Sequence, residues 1–97
     1  MIKPPHPGET IREDYLLPLN MTVSGRAKRL RITPAGLNEI VRGERSVTAD
    51  TALRIARYFG TSAQFWMNLQ SLYDLRTAER KARGKIERQV APMQLAS

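Results

Sequence analysis

The stretch TVSGRAKRLRITPAGLNEIVRG, residues 22–43, decides the fold. Val23, Ala27 and Leu30 are spaced four and three apart, so they share one face of a helix. A second pattern opens at Thr33-Pro34, carries Leu37, Ile40 and Val41 on one face, and stops at Gly43. Thr is a favoured N-cap, and Pro fits the first helical position, where its missing N–H is not needed. Gly just past the last apolar residue is a common helix stop. Two helices of about three turns, joined by so few residues, must cross steeply, which predicts a helix-turn-helix over residues 22–43.

The flanking sequence predicts three more helices. The first spans roughly 8–17, with Ile11, Tyr15 and Leu16 inward, and Pro18 ends it. Before it, residues 1–7 read as an extended arm rich in proline. Helix 2 covers 23–30 with Thr22 as cap and Ser24 as the rival; helix 3 covers 34–42. Thr48 caps a fourth helix over 49–59, with Ala52, Leu53, Ile55, Ala56 and Phe59 inward and Gly60 as stop. Thr61 and Gln64 have the spacing of a capping box. A fifth helix follows through Phe65, Trp66, Leu69, Leu72 and Tyr73, ending between 77 and 83, with Gly84 as breaker. Residues 84–97 read as a basic, flexible tail. No run alternates as a strand does. The expected architecture is all-α: a five-helix orthogonal bundle with its helix-turn-helix domain over 8–83.

Composition narrows the function. Sixteen Lys and Arg against nine Asp and Glu give +7, and there is no cysteine. Disulfides and thiolate metal sites are excluded, and a cytoplasmic location is the simplest expectation. No apolar run is long enough to span a membrane, and MIKPPHPGE lacks the apolar core of a signal peptide. The excess positive charge fits either a solvated surface or a polyanionic partner. Its distribution favours the second: Arg26, Lys28, Arg29, Arg31, Arg42 and Arg45 crowd the predicted motif, opposed there only by Glu39 and Glu44.

In a helix-turn-helix the second helix turns its outer face to a DNA groove. With Leu37, Ile40 and Val41 inward, that face is Thr33, Pro34, Ala35, Gly36, Asn38 and Glu39. Asn38 suits adenine, Glu39 can accept from cytosine N4, and Ala35 can touch a thymine methyl. Small Ala35 and Gly36 suit a close groove approach, and Gly is costly in a purely structural helix. Thr22, Lys28, Arg29, Arg31, Arg42 and Arg45 are the expected phosphate contacts, which set register and not sequence. The apolar arc on helix 5 is wide for one small domain to cover, so Phe65, Leu69, Leu72 and Tyr73 are the expected homodimer seam, on a dimerising helix over 62–80. Trp66, by its spacing with Leu69 and Tyr73, is expected in the core.

An enzyme is not expected. His6, the one histidine, lies in the arm, and the carboxylates are scattered except for Glu13-Asp14. Neither a metal site nor a cofactor loop is visible.

The chain resembles the HigA (VapI-like) antitoxins of the Cro/C1-type, or XRE, helix-turn-helix group. The likeness rests on His6-Pro7-Gly8-Glu9, on Leu19 to Ser24, on Gly43 to Thr48, and above all on the block from Ala52 to Gln70, continued by Tyr73-Asp74-Leu75. It covers residues 6 to about 80. The resemblance implies a homodimer on a palindromic operator of its own operon, and a complex with a HigB-type mRNA-cleaving toxin that it neutralises. It implies base reading by Thr33, Pro34, Ala35, Asn38 and Glu39, the face derived above. Two positions depart from the pattern. Arg26 stands where relatives usually carry an apolar residue, and Arg31 stands where the turn usually has Gly. They leave open a toxin-binding module with weakened DNA binding; a stand-alone phage-type regulator without a toxin is the other alternative.

Overall fold

Residues 5–94 are described by the structure, a computed structural model. Five helices make the fold, and the described residues hold no strand. The first, α1 (Pro7–Thr10), runs without a break into a π-helical segment (Ile11–Leu16). Then come α2 (Val23–Leu30), α3 (Pro34–Val41), α4 (Ala49–Phe59) and α5 (Ala63–Gln89). The π turn has a packing consequence: its wider loop brings Ile11 and Leu16, five apart, to the same side, and both are buried.

Each helix start is closed by a side chain on an otherwise orphaned backbone N–H. Thr22 Oγ1 accepts from Gly25 N at 3.1 Å, Thr33 Oγ1 from Gly36 N at 3.0 Å, and Thr48 Oγ1 from Thr51 N at 3.3 Å. Thr22, not Ser24, is thus the cap of α2. At α5 the expected capping box gives way to Ser62, whose Oγ accepts from Phe65 N at 3.0 Å. Thr61 is otherwise engaged: its Oγ1 accepts from Trp66 Nε1 at 2.7 Å.

The helix ends share one device. Ile32 N–H reaches back to Ala27 O at 3.1 Å and Arg31 N–H to Lys28 O at 3.3 Å. Met21 and Asn20, and Glu44 and Gly43, repeat this pair of bonds behind the first helix and α3, and Thr61 closes α4 on Ala56 O. In every case the residue at the turn is left-handed: Asn20 at φ 57°, Arg31 at 60°, Gly43 at 77° and Gly60 at 74°. These are Schellman-type stops, which favour Gly because it carries no Cβ.

The core is built from Ile11, Leu16, Ala27, Leu30, Leu37, Ile40, Val41, Val47, Ala52, Ile55, Ala56 and Trp66. Tyr15 bridges two of its aromatic neighbours, 4.8 Å from Phe59 and 5.5 Å from Trp66 between ring centres. Gly8 lets α1 lie directly on α3: a Cβ there would land on the carbonyl of Ile40. No larger residue permits that approach.

Several expectations need correction. Leu53 points outward and is 62% exposed, because Ala52, Ile55 and Ala56 already fill the face of α4 that meets the core. His6 is not part of a solvated arm. It is buried, its Nδ1 accepts from Gly8 N at 2.9 Å, and its ring edge meets Tyr73 at 4.9 Å. Residues 1–4 of the expected arm lie outside the described residues, as do 95–97 of the expected tail. Gly84 does not break α5, which continues to Gln89. Gly weakens a helix by only ~1 kcal/mol against Ala, and its neighbours here are strong helix formers with an Arg83–Glu87 pair spanning it at 3.3 Å. The tail therefore begins as an exposed helix, not as flexible chain.

Candidate nucleic-acid interface

Leu37, Ile40 and Val41 pin α3 by its inner face, at 0%, 3% and 8% exposure. That fixes the opposite side. Thr33, Pro34 and Ala35 are exposed at its start; Gly36, Asn38 and Glu39 are half-buried along its flank. Gly36 has a structural reason as well as room for a groove: a Cβ there would stand 2.8 Å from Thr33 Oγ1, the hydroxyl that caps the helix. Both cap hydroxyls, Thr22 and Thr33, accept a backbone N–H and keep their own O–H to donate.

The six expected phosphate contacts are all exposed: Thr22 at the start of α2, Lys28 and Arg29 in its last turn, Arg31 in the turn that follows, and Arg42 and Arg45 just after α3. Lys28, Arg29 and Arg31 line one concavity of about 570 Å³ at the end of α2. None of the three has an ion pair among the described residues. Arg45 holds Glu39 Oε1 at 2.9 Å, and Arg42 Nε holds Glu44 Oε1 at 2.9 Å. Sequence reading gave Glu39 a free carboxylate for a base; the structure ties it to Arg45. Such exposed pairs contribute roughly 0.2–1 kcal/mol, so a phosphate can displace either carboxylate from its arginine.

Two departures from the family pattern have a geometric account. Arg31 retains the left-handed turn. Arg26 lies across the face of Tyr58, its guanidinium carbon 5.7 Å from the ring centre, and donates from Nη1 to the Tyr58 hydroxyl. Its Nε is buried with no hydrogen-bond partner among the described residues. The stem packs and the head binds α4, as amphipathic side chains do.

Three supporting residues have roles that the sequence did not show. Gln70, buried on the same face as Trp66, accepts from Val47 N at 2.7 Å and donates to Asp74 Oδ1 at 2.9 Å and Ser46 Oγ at 3.4 Å. It thereby clamps the loop that carries Arg45. Its signal was a polar residue four positions beyond Trp66 on the packing stripe. Arg54 donates to Leu30 O at 3.2 Å, closing an α2 carbonyl, and to Asp50 at 2.7 Å. His6, read as a residue of the arm, is a cap.

The four residues expected at a dimer seam divide. Phe65 and Leu72 are 40% and 42% exposed. Leu69 packs partly against the core and Tyr73 against His6, so both already have partners within the protomer. Among the described residues no group of His, Cys, Asp or Glu could hold a metal ion, and no helix is long and apolar enough to cross a membrane.

A capped helix held by three core residues, joined by a tight turn to a second and ringed by cations, defines a helix-turn-helix protein. The helix-turn-helix family model matches residues 12–66. Virulence-associated protein I of Dichelobacter nodosus is 54% identical over 74 residues, covering 76% of this chain and 68% of that protein. Among solved structures, the Pseudomonas aeruginosa antitoxin HigA with the higBA promoter is 43% identical, with a TM-score of 0.90 over 94% of this chain and 99% of that one. An addiction module antidote protein of the HigA family from Coxiella burnetii is also 43% identical, with a TM-score of 0.87 over 95% and 100%. The chain belongs to the HigA/VapI-like antitoxin family of XRE-type helix-turn-helix proteins.

Proposed function

We propose that this protein is the antitoxin of a type II toxin–antitoxin pair, a repressor of its own operon that binds operator DNA as a homodimer and neutralises a HigB-type mRNA-cleaving toxin. The observation that carries the DNA-binding half is the fixed outward side of α3, whose start is capped by Thr33, together with the five exposed cations Lys28, Arg29, Arg31, Arg42 and Arg45 on α2, the turn and the following loop. The relative with its promoter supports the same reading. Toxin binding and the homodimer rest on the family likeness, with exposed Phe65 and Leu72 as the seam's centre. The DNA-binding unit comprises 8–83, preceded by Pro7 and the His6 cap of its first helix, and works from the cytoplasm.

In this reading Asn38 and Glu39 face base edges, and Thr22, Lys28, Arg29, Arg31, Arg42 and Arg45 hold phosphates. Two subunits would place their α3 helices about 34 Å apart, one turn of duplex. The five cations among these contacts would give log affinity against log salt a slope of roughly −4.5 per subunit. The test is binding to the chain's upstream DNA, with and without the product of the adjacent gene. Asn38→Ala with Glu39→Ala is expected to flatten discrimination between operator and scrambled duplex. Unchanged discrimination would reject the assigned face.

A further inference from the structure

The second half of α5 is unaccounted for by the core. Trp66 and Gln70 are the buried residues of this 27-residue helix, so the part after Gln70 projects. From residue 74 to 89 it extends about 24 Å at 1.5 Å per residue. Over 76–89 it carries Arg76, Arg80, Lys81, Arg83, Lys85 and Arg88 against Glu79 and Glu87. Arg76 pairs with Glu79 at 2.7 Å and Arg83 with Glu87. Lys81, Lys85 and Arg88, at spacings of four and three, form one stripe along a single face, and none has an ion pair among the described residues.

Local stability does not account for this stripe. Cations favour the last turn of a helix, and only Arg88 lies there. Three like charges on one face repel each other. The stripe continues, about 16 Å further along α5, the helix face on which Gln70 meets the interface loop. Gln70 binds the backbone of Val47, in the loop that bears Arg45, and Tyr73 lines the same groove as Arg42 and Gly43.

We propose that Lys81, Lys85 and Arg88 bind the phosphates of duplex DNA outside the bases read by α3, lengthening the footprint on the operator. This rests on the operator-binding reading. The positive stripe continues the phosphate contacts of Arg42 and Arg45 along a rigid rod, and the contact is to backbone alone, so it adds affinity and salt dependence without sequence preference.

The experiment compares two duplexes of the chain's upstream DNA by fluorescence anisotropy over a salt series. One is trimmed to the bases that α3 protects; the other adds a helical turn on each side. The wild type is expected to show a salt slope steeper by about 2.7 per subunit on the longer duplex, three contacts at about 0.9 each. Lys81→Gln/Lys85→Gln/Arg88→Gln should abolish that difference and leave the short duplex unaffected. Lys81→Arg/Lys85→Arg/Arg88→Lys should restore it. Circular dichroism checks that the Gln variant keeps its helix. Equal slopes on the two duplexes, or a Gln variant that retains the difference, would overturn the proposal, as would a loss seen only in binding of RNA or of the adjacent gene product. If instead neither duplex binds, or the Asn38/Glu39 variant discriminates normally, it is the operator reading that fails.

Discussion

Arg31→Gly should make this protein more stable while weakening its grip on DNA. Four helix ends use a left-handed residue, and they hold Asn20, Gly43, Gly60 and, out of keeping, Arg31 at φ 60° and ψ 41°. The left-handed region costs an L-residue roughly 1–2 kcal/mol. Gly has more freedom to lose on folding, which offsets about 0.5–1 kcal/mol. The net expectation is a gain of about 1 kcal/mol, or roughly 4–8 °C in Tm for a domain of this size. Urea unfolding with a thermal melt reads it. Arg31→Ala is the control, since it removes the same charge and keeps the Cβ that causes the strain. Both variants should lower the salt slope on operator DNA by about 0.9, because each deletes one proposed phosphate contact. Equal stability of the Gly and Ala variants would refute the reasoning, because the left-handed geometry would then carry no cost.

Three further changes probe contacts between distant segments. Gln70→Ala leaves the Val47 N–H buried without its acceptor, so denaturant unfolding should show a loss of about 1–3 kcal/mol, and Arg45-dependent DNA affinity should fall with it. Gly8→Ala drives a methyl into the Ile40 carbonyl and should cost ~3 kcal/mol by the same measurement, separating α1 from α3. Arg26→Leu removes the buried, unpartnered Nε while keeping the aliphatic stem; a gain of about 1 kcal/mol is expected, and a comparable loss would mean that the Tyr58 contacts outweigh the orphaned nitrogen.

Local interactions were legible in the chain because their partners are close in sequence. The caps Thr22, Thr33 and Thr48 each bond an N–H three residues on, and the stops Gly43 and Gly60 each close a turn just completed. The inner face of α3 followed from 3.6-residue periodicity alone, and with it the outward set from Thr33 to Glu39. Arg31 stood out before any coordinates only through the resemblance, in which that turn position usually carries Gly.

Contacts across the fold could not be read that way. Leu53 satisfies helical periodicity as well as Ile55 does; which of them is buried depends on where α1, α2 and α5 pack against α4. Gly84 ended α5 on propensity, yet about 1 kcal/mol is too little to stop a helix whose neighbours favour it. Glu39 reads as a free acceptor until the following loop folds back and brings Arg45 to it. By itself, then, the sequence determined the five helices, the threonine caps of α2, α3 and α4 and the side of α3 turned outward, because short-range hydrogen bonds and apolar spacing dictate those. Tertiary structure alone decided that His6 packs against Tyr73, that Gln70 clamps the Arg45 loop and that Arg26 binds Tyr58. Each of those depends on two segments meeting in space, for which the chain carries no periodic signal.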